Sequence, residues 1–336
     1  GADLRSHGHP IANLSEKPAA GSMQKNSPSV NNEDEAGELE WQKWNRVNSQ
    51  AAAKAIGSLA SNPIIFHSGG SIGLFSGETL LVPVWVGNWD QGNKDFWNTR
   101  MRALISSLGG GAINKDGHVL NTNSLYFISR NAQLPILTWA PGTASANIPA
   151  DLQKASGGIT PVTDANVATY ISRALSTGVV SAPSNGRVIY IYIGAANTRL
   201  SSGFGTAYCG WHTYGNLGAK NIPYIAIQDF TSKYFSACSA QTISPNGNVA
   251  FDAMASVLVH EIDEALTDPD LRTWYDSRGA ENADKCAWTF GITSLGGSGF
   301  KYNFTAGSYQ FLIQRNWLAD NLVKDSVAGT ACSITG

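Results

Sequence analysis

The stretch Arg187–Gly194, RVIYIYIG, constrains the fold more than any other in this 336-residue chain. Side chains of a strand alternate between two faces, and here both alternating sets are apolar or aromatic. Such a strand has to be covered on both sides, which places it in the middle of a sheet layered with helices and predicts an α/β (α+β) architecture. Similar runs at Pro63–His67, Thr79–Gly87, Ser124–Ser129, Leu134–Trp139 and Asn221–Phe230 predict further strands. Phe96, Met101, Leu104 and Ile105 share one face of a helix predicted over Asp90–Leu108, which Gly109, Gly110 and Gly111 end. A second helix is predicted over Thr163–Thr177, capped by Thr163 or Asp164. Hydrophobic residues make up 43 % of the chain, enough for a sizeable core, and no repeat or second hydrophobic set is visible. Residues 56–336 are therefore read as one globular domain. Residues 1–55 are polar and read as a flexible segment, with Trp41, Trp44 and Val47 at helical spacing predicting a helix over 33–54.

Several functional classes are set aside by charge and hydropathy. The net charge of −2 offers no basic surface to nucleic acid. No apolar run reaches the roughly 18 residues that span a bilayer. Only 14 % of residues are charged, a proportion commoner in secreted proteins, and the N-terminal Gly is read as the product of processing. Four cysteines, Cys209, Cys238, Cys286 and Cys332, form no C-x-x-C pair, which speaks against a cysteine zinc site. Three pairings exist, and proximity along the chain favours Cys209–Cys238 and Cys286–Cys332; four free thiols in a cytosolic protein is the alternative. Asn13 and Asn303 begin N-x-S/T sequons, candidate glycosylation sites in a secreted chain. Trp85 and Trp89 are candidates for stacking on sugars, with core packing the default.

The chemistry concentrates on the segment NVAFDAMASVLVHEIDEAL, residues 248–266. It reads as a helix, with Asn246 or Asn248 as its cap, Asp268-Pro269 as its stop, and Met254, Val257, Leu258 and Ala265 as its buried stripe. His260 and Glu264 are four residues apart and share one face, the spacing at which two side chains reach one metal ion. Glu261 is displaced by about 100° around the axis, placed to act on a metal-bound water as general base without being a ligand, the logic of H-E-x-x-H. Here Glu264 stands where the second His of that motif would be, and a carboxylate also ligates zinc. The plainer alternative is a helix with a hydrogen-bonded polar face. An acidic group of Asp263, Glu264, Asp268 and Asp270 makes Ca2+ a second candidate ion beside Zn2+. His212, in CGWH, is either a packed residue beside a disulfide or a member of the cleft.

The segment HEIDEALTDPDLRTWYDSRGAENADKC resembles the thermolysin-like zinc peptidases. That resemblance implies a third ligand at Glu281, an Asp284 that orients His260 through its other ring nitrogen, and an oxyanion role for Tyr275. It implies a zincin-like domain with the helix beneath a mixed sheet. His260 and Glu264 would then face a cleft rimmed by an edge strand, to which an extended peptide or protein substrate adds. One His and two Glu make a harder, more anionic site than two His, which argues for a less acidic bound water.

Roughly residues 60–335 also resemble the EXORDIUM or phosphate-induced family of secreted, cell-wall-associated proteins. IIFHSGGSIGLFSGETLLVPVWVGNW, YCGWHTY, SPNGNVAFDAMASVLVHEIDEALTDPDLRTWYD, ENADKCAW and FKYNFTAGSYQFLIQRNW carry that likeness. It implies an extracellular location linked to growth signalling. Two functional expectations follow. One is a secreted zinc hydrolase of the metallopeptidase type. The other is a non-catalytic extracellular protein that presents a surface to wall polysaccharide or a receptor.

Overall fold

The computed structural model describes residues 11–13, 63–109, 122–140, 146–150, 158–201, 203–205, 208–231, 235–276, 279–323 and 326–334. In chain order the strands begin with β1 (Ile11–Asn13), β2 (Ile64–Phe66), β3 (Glu78–Val86), β4 (Ile136–Trp139) and β5 (Thr160–Val162). They continue with β6 (Val188–Gly194), β7 (Thr198–Leu200), β8 (Tyr208–Gly215), β9 (Ile222–Gln228) and β10 (Trp274–Tyr275). The C-terminal part adds β11 (Ser294–Leu295), β12 (Lys301–Tyr302), β13 (Phe304–Ala306), β14 (Tyr309–Phe311), β15 (Asn316–Val323) and β16 (Ser326–Ser333). The helices are α1 (Gln91–Gly109), α2 (Ser124–Ile128), α3 (Asp164–Ser176), α4 (Phe235–Cys238) and α5 (Val249–Thr267). None of the described helices is long and apolar enough to cross a membrane.

Six strands form the main sheet in the order β1-β8-β9-β6-β3-β4. All seven residues of β6 are buried, and its neighbours β3 and β9 run parallel to it. The sheet turns antiparallel at β8, which pairs with β9 on one side and β1 on the other. Helix α1 packs on β4, α3 on β3 and β6, and α5 on β8 and β9. A second, antiparallel sheet has the order β10-β2-β16-β15. One apolar cluster runs from Ile64 to Trp317 through both layers. Trp85 and Trp89 belong to it, meeting each other edge-on with Trp97 and Phe251 alongside, so both fill the core.

Local chemistry accounts for the helix ends. The Thr163 hydroxyl accepts from the Asn166 N–H, and the Asn166 side chain accepts from the Thr163 N–H, a reciprocal cap. The Asn248 side chain accepts from the Phe251 N–H at 3.0 Å and starts α5. Two expectations are corrected. Ser124–Ile128 is a short helix rather than a strand, because a five-residue apolar run carries no period that separates the two. Helix α5 buries every residue from Ala250 to Thr267 instead of one stripe. The main sheet covers one side of it. The loop around Phe75, whose N–H donates to the Leu266 carbonyl, and Asn123, whose side-chain amide donates to Asp263 Oδ1, cover others.

Both favoured disulfides are present, Cys209–Cys238 and Cys286–Cys332. They close loops with sequence separations of 29 and 46, and each contributes about 4 kcal/mol on the chain-entropy account. The helix predicted over 33–54 and most of the polar segment 1–55 lie outside the described residues. Within that segment, Ile11 and Asn13 pair with Trp211 and Tyr208. At the other sequon, the Asn303 Nδ2 donates to the carbonyls of Phe290 and Ile313, and its Oδ1 accepts from the Ile313 N–H. That amide ties the junction of β12 and β13 to the backbone at Phe290 and Ile313.

Candidate metal centre

Three separate pieces of chain bring titratable groups to one buried place. Helix α5 supplies His260 and Glu264 at i and i+4. Strand β8 supplies His212, and the turn 279–286 supplies Glu281 and Asp284. His212, Glu264 and Glu281 are fully buried, His260 is 2 % exposed, and only the Asp284 side chain, at 9 %, approaches solvent.

These five side chains form two groups of three, each with its ligand atoms within 4.8 Å of one another. One is His260, Glu264 and Asp284; the other is His212, Glu264 and Glu281. In the first, His260 Nε2 lies 3.1 Å from Glu264 Oε1 and 3.2 Å from Asp284 Oδ1. In the second, His212 Nε2 lies 3.5 Å from Glu264 Oε2 and 3.2 Å from Glu281 Oε1. Atoms held about 2.0–2.1 Å from a common tetrahedral ion are themselves about 3.3 Å apart. The observed separations bracket that value, so the residues fit a divalent cation.

The hydrogen bonding of His260 points the same way. Gln314 Oε1 accepts from the Trp288 N–H at 3.0 Å, which identifies it as the oxygen. The contact of 3.3 Å between that oxygen and His260 Nδ1 therefore needs Nδ1 to donate. In the neutral ring Nε2 then turns a lone pair toward two carboxylates, an arrangement that a cation between them makes favourable. Gln314 takes the Nδ1 position that the sequence assigns to Asp284, while Asp284 sits on the Nε2 side with Glu264. No motif in the sequence singles out Gln314; its backbone N–H is anchored to Ser256 Oγ on α5.

Each element is pinned close to its ligand. The Cys209–Cys238 bridge lies three residues before His212, and Cys286–Cys332 two residues after Asp284. Asp284 Oδ2 accepts from the Glu281 N–H at 3.0 Å, which fixes the two carboxylates relative to one another. The preceding turn closes between Asp276 and Ala280, with Gly279 at φ +86°, a value glycine adopts without strain. A buried ion pair of 2.8 Å, Lys285 with Asp276, holds that turn from its other end. Gly210 sets the approach of helix to strand: a Cβ there would lie 2.5 Å from Val257 Cγ1 and 3.2 Å from the Ala226 carbonyl oxygen.

Other predicted residues are placed elsewhere. The predicted trio His260, Glu264 and Glu281 is divided between the two groups, with Glu264 common to both. Glu261 is fully buried on α5. The Tyr275 ring stacks on His67 at 3.7 Å in the second sheet. Of the acidic group proposed for calcium, Asp268 accepts from the Thr273 N–H at 2.7 Å. Asp270 accepts from Ile72 N–H and Thr273 Oγ1, tying down the loop at Gly70. Asp263 accepts from Asn123 Nδ2 at 2.9 Å. Burial pushes the Asp263 carboxyl well above its usual range; His260 opposes the shift and Glu264 adds to it. The outer edge of β8 is paired with β1.

Residues 65–311 match the family described as phosphate-induced protein 1 conserved region. That span contains His212, His260, Glu264, Glu281 and Asp284. Among curated proteins, Protein EXORDIUM-like 3 of Arabidopsis thaliana is 34 % identical over 113 residues, which cover 30 % of this chain and 33 % of that protein. The chain thus spans about a third of the length of the curated relative it matches. No solved structure matches it.

Proposed function

We propose, from the premise that this chain belongs to the phosphate-induced protein 1 family, that it is a secreted, non-catalytic EXORDIUM-type protein organised around a buried divalent metal centre. The observation that carries this reading is the convergence of two imidazoles and three carboxylates in a place closed to solvent except at Asp284. Buried carboxylates are costly unless charge-compensated, and a divalent cation compensates several at once. Zinc suits these mixed nitrogen and oxygen donors, and Glu264 with His260 and Asp284, or with His212 and Glu281, would hold the ion. Bound there, it ties helix α5 to β8 and to the 279–286 turn, three segments far apart in the chain. The two disulfides support an oxidising, extracellular setting. The surface so stabilised is offered to wall polysaccharide or a receptor.

Elemental analysis of the purified chain tests this reading. At least one equivalent of bound divalent metal is expected, with a lower melting temperature after chelation. A chain without metal, whose melting is indifferent to zinc and calcium, would remove the proposal.

The zincin-like hydrolase is the second reading. It is favoured by Glu261, buried next to His260 on a helix that packs on the antiparallel end of a mixed sheet. A bound zinc supplies Lewis acidity and a more acidic water, and Glu261 would take that water's proton. Tyr275, stacked on His67, and the closed β8 edge weigh against turnover in this form. Metal-dependent cleavage of a peptide library that disappears in Glu261→Gln, with metal content retained, would promote this reading over the first.

A further inference from the structure

We infer that the centre holds two divalent cations, bridged by the carboxylate of Glu264. This deepens the metal-centre reading and rests on it. The two groups of three share Glu264 and nothing else, and they use different oxygens of it: Oε1 faces His260 and Oε2 faces His212. A carboxylate whose two oxygens point to two separate donor sets has the form of a bridge, and two-metal sites typically set their ions about 3.5–4 Å apart. The two halves are also alike in composition. Each offers one imidazole nitrogen, one terminal carboxylate oxygen (Asp284 or Glu281) and one oxygen of Glu264. Three protein ligands per ion leave a position for water on each, and mixed nitrogen and oxygen donors suit Zn2+ or Mn2+.

Charge points the same way: Glu264, Glu281 and Asp284 bring three carboxylates to this buried place, and one divalent ion leaves the third negative charge uncompensated in a medium that penalises it. The positioning bonds treat the halves separately as well. Gln314 orients His260 through Nδ1, and the Cys209–Cys238 bridge anchors the strand of His212.

The test is metal stoichiometry on the full chain. The protein is stripped with chelator, reloaded with Zn2+ and measured by plasma mass spectrometry, then reloaded with Mn2+ and examined by electron paramagnetic resonance. Two zinc equivalents and an exchange-coupled manganese spectrum are expected. His212→Ala and His260→Ala should each retain about one equivalent, and Glu264→Gln should lose both. One equivalent in the wild type with an uncoupled spectrum would overturn the two-ion inference and leave the metal-centre reading standing. Zero equivalents would remove both. The wild-type count and spectrum decide the matter even if a histidine variant fails to fold.

Discussion

Gly210→Ala is the most exacting test of how the centre is built. The added methyl would lie 2.5 Å from Val257 Cγ1, whereas carbon atoms in contact prefer about 3.5–4.0 Å. About 1 Å must therefore be found. Strand β8 cannot slide away along the sheet, because the same methyl meets the Ala226 carbonyl oxygen at 3.2 Å and β8 is hydrogen-bonded to β9 at that point. Val257 cannot swing aside cheaply, since a β-branched side chain in a helix is held to one main rotamer. The helix itself has to retreat, which costs about 1–3 kcal/mol as an overpacked core does. His212 lies two residues along β8 on the same face as position 210, and Glu264 lies two turns along α5 from Val257. A retreat of about 1 Å stretches their present separation of 3.5 Å well beyond the ~0.2 Å tolerance of a metal site. The assay is equilibrium urea unfolding of stripped protein together with metal content of loaded protein, for Gly210→Ala, Val257→Ala and the double variant. The single glycine variant should lose stability and at least half its metal, and Val257→Ala should restore part of both. The cycle should show a favourable coupling of about 1 kcal/mol or more. If Gly210→Ala is as stable as wild type with full metal content, or if the two changes simply add, the close approach of strand and helix does not set the centre.

Burial pushes the Asp252 carboxyl up to about 6, against the opposing hydrogen bonds from Asn246. The folded state therefore binds this proton more tightly than the unfolded chain, so its stabilisation is full below about pH 4 and is lost as pH rises through 6. Stability measured from pH 4 to 7 should fall by an amount of the order of 3 kcal/mol on this account, and Asp252→Asn should flatten that decline; an unchanged slope would refute it. Deleting residues 1–20 removes β1 and frees the edge of β8. If the hydrolase reading holds, metal-dependent peptide cleavage rises at least tenfold, and if the non-catalytic reading holds, the truncated chain stays inert while keeping its metal.

Much of this arrangement was written locally in the chain. RVIYIYIG has no polar face to leave in water, so it could only be an inner strand, and β6 is one. Asn248 before an apolar run and Asp268-Pro269 after it fixed the ends of α5 to within a residue or two, because caps and proline act on their own neighbourhood. The cysteine pairs followed from short separations, which make closure entropically cheap. Ser124–Ile128 was misread because five residues carry too little period, and YCGWHTYG hid its strand because glycine, histidine and cysteine dilute the β signal.

The candidate site divides along the same line. His260 and Glu264 are brought together by the 3.6-residue repeat of a single helix, so their pairing is visible in sequence. His212 and Glu281 are 69 positions apart and Gln314 is 54 from His260. No local rule links such residues. They meet because β8 packs against α5 through Gly210, and because a disulfide to β16 and a buried ion pair with Asp276 fix the 279–286 turn. Sequence alone determined that His260 and Glu264 share one face of the helix. Only tertiary structure decided that Glu264 faces two histidines at once, since that depends on where strand, turn and helix settle when their apolar faces are buried together.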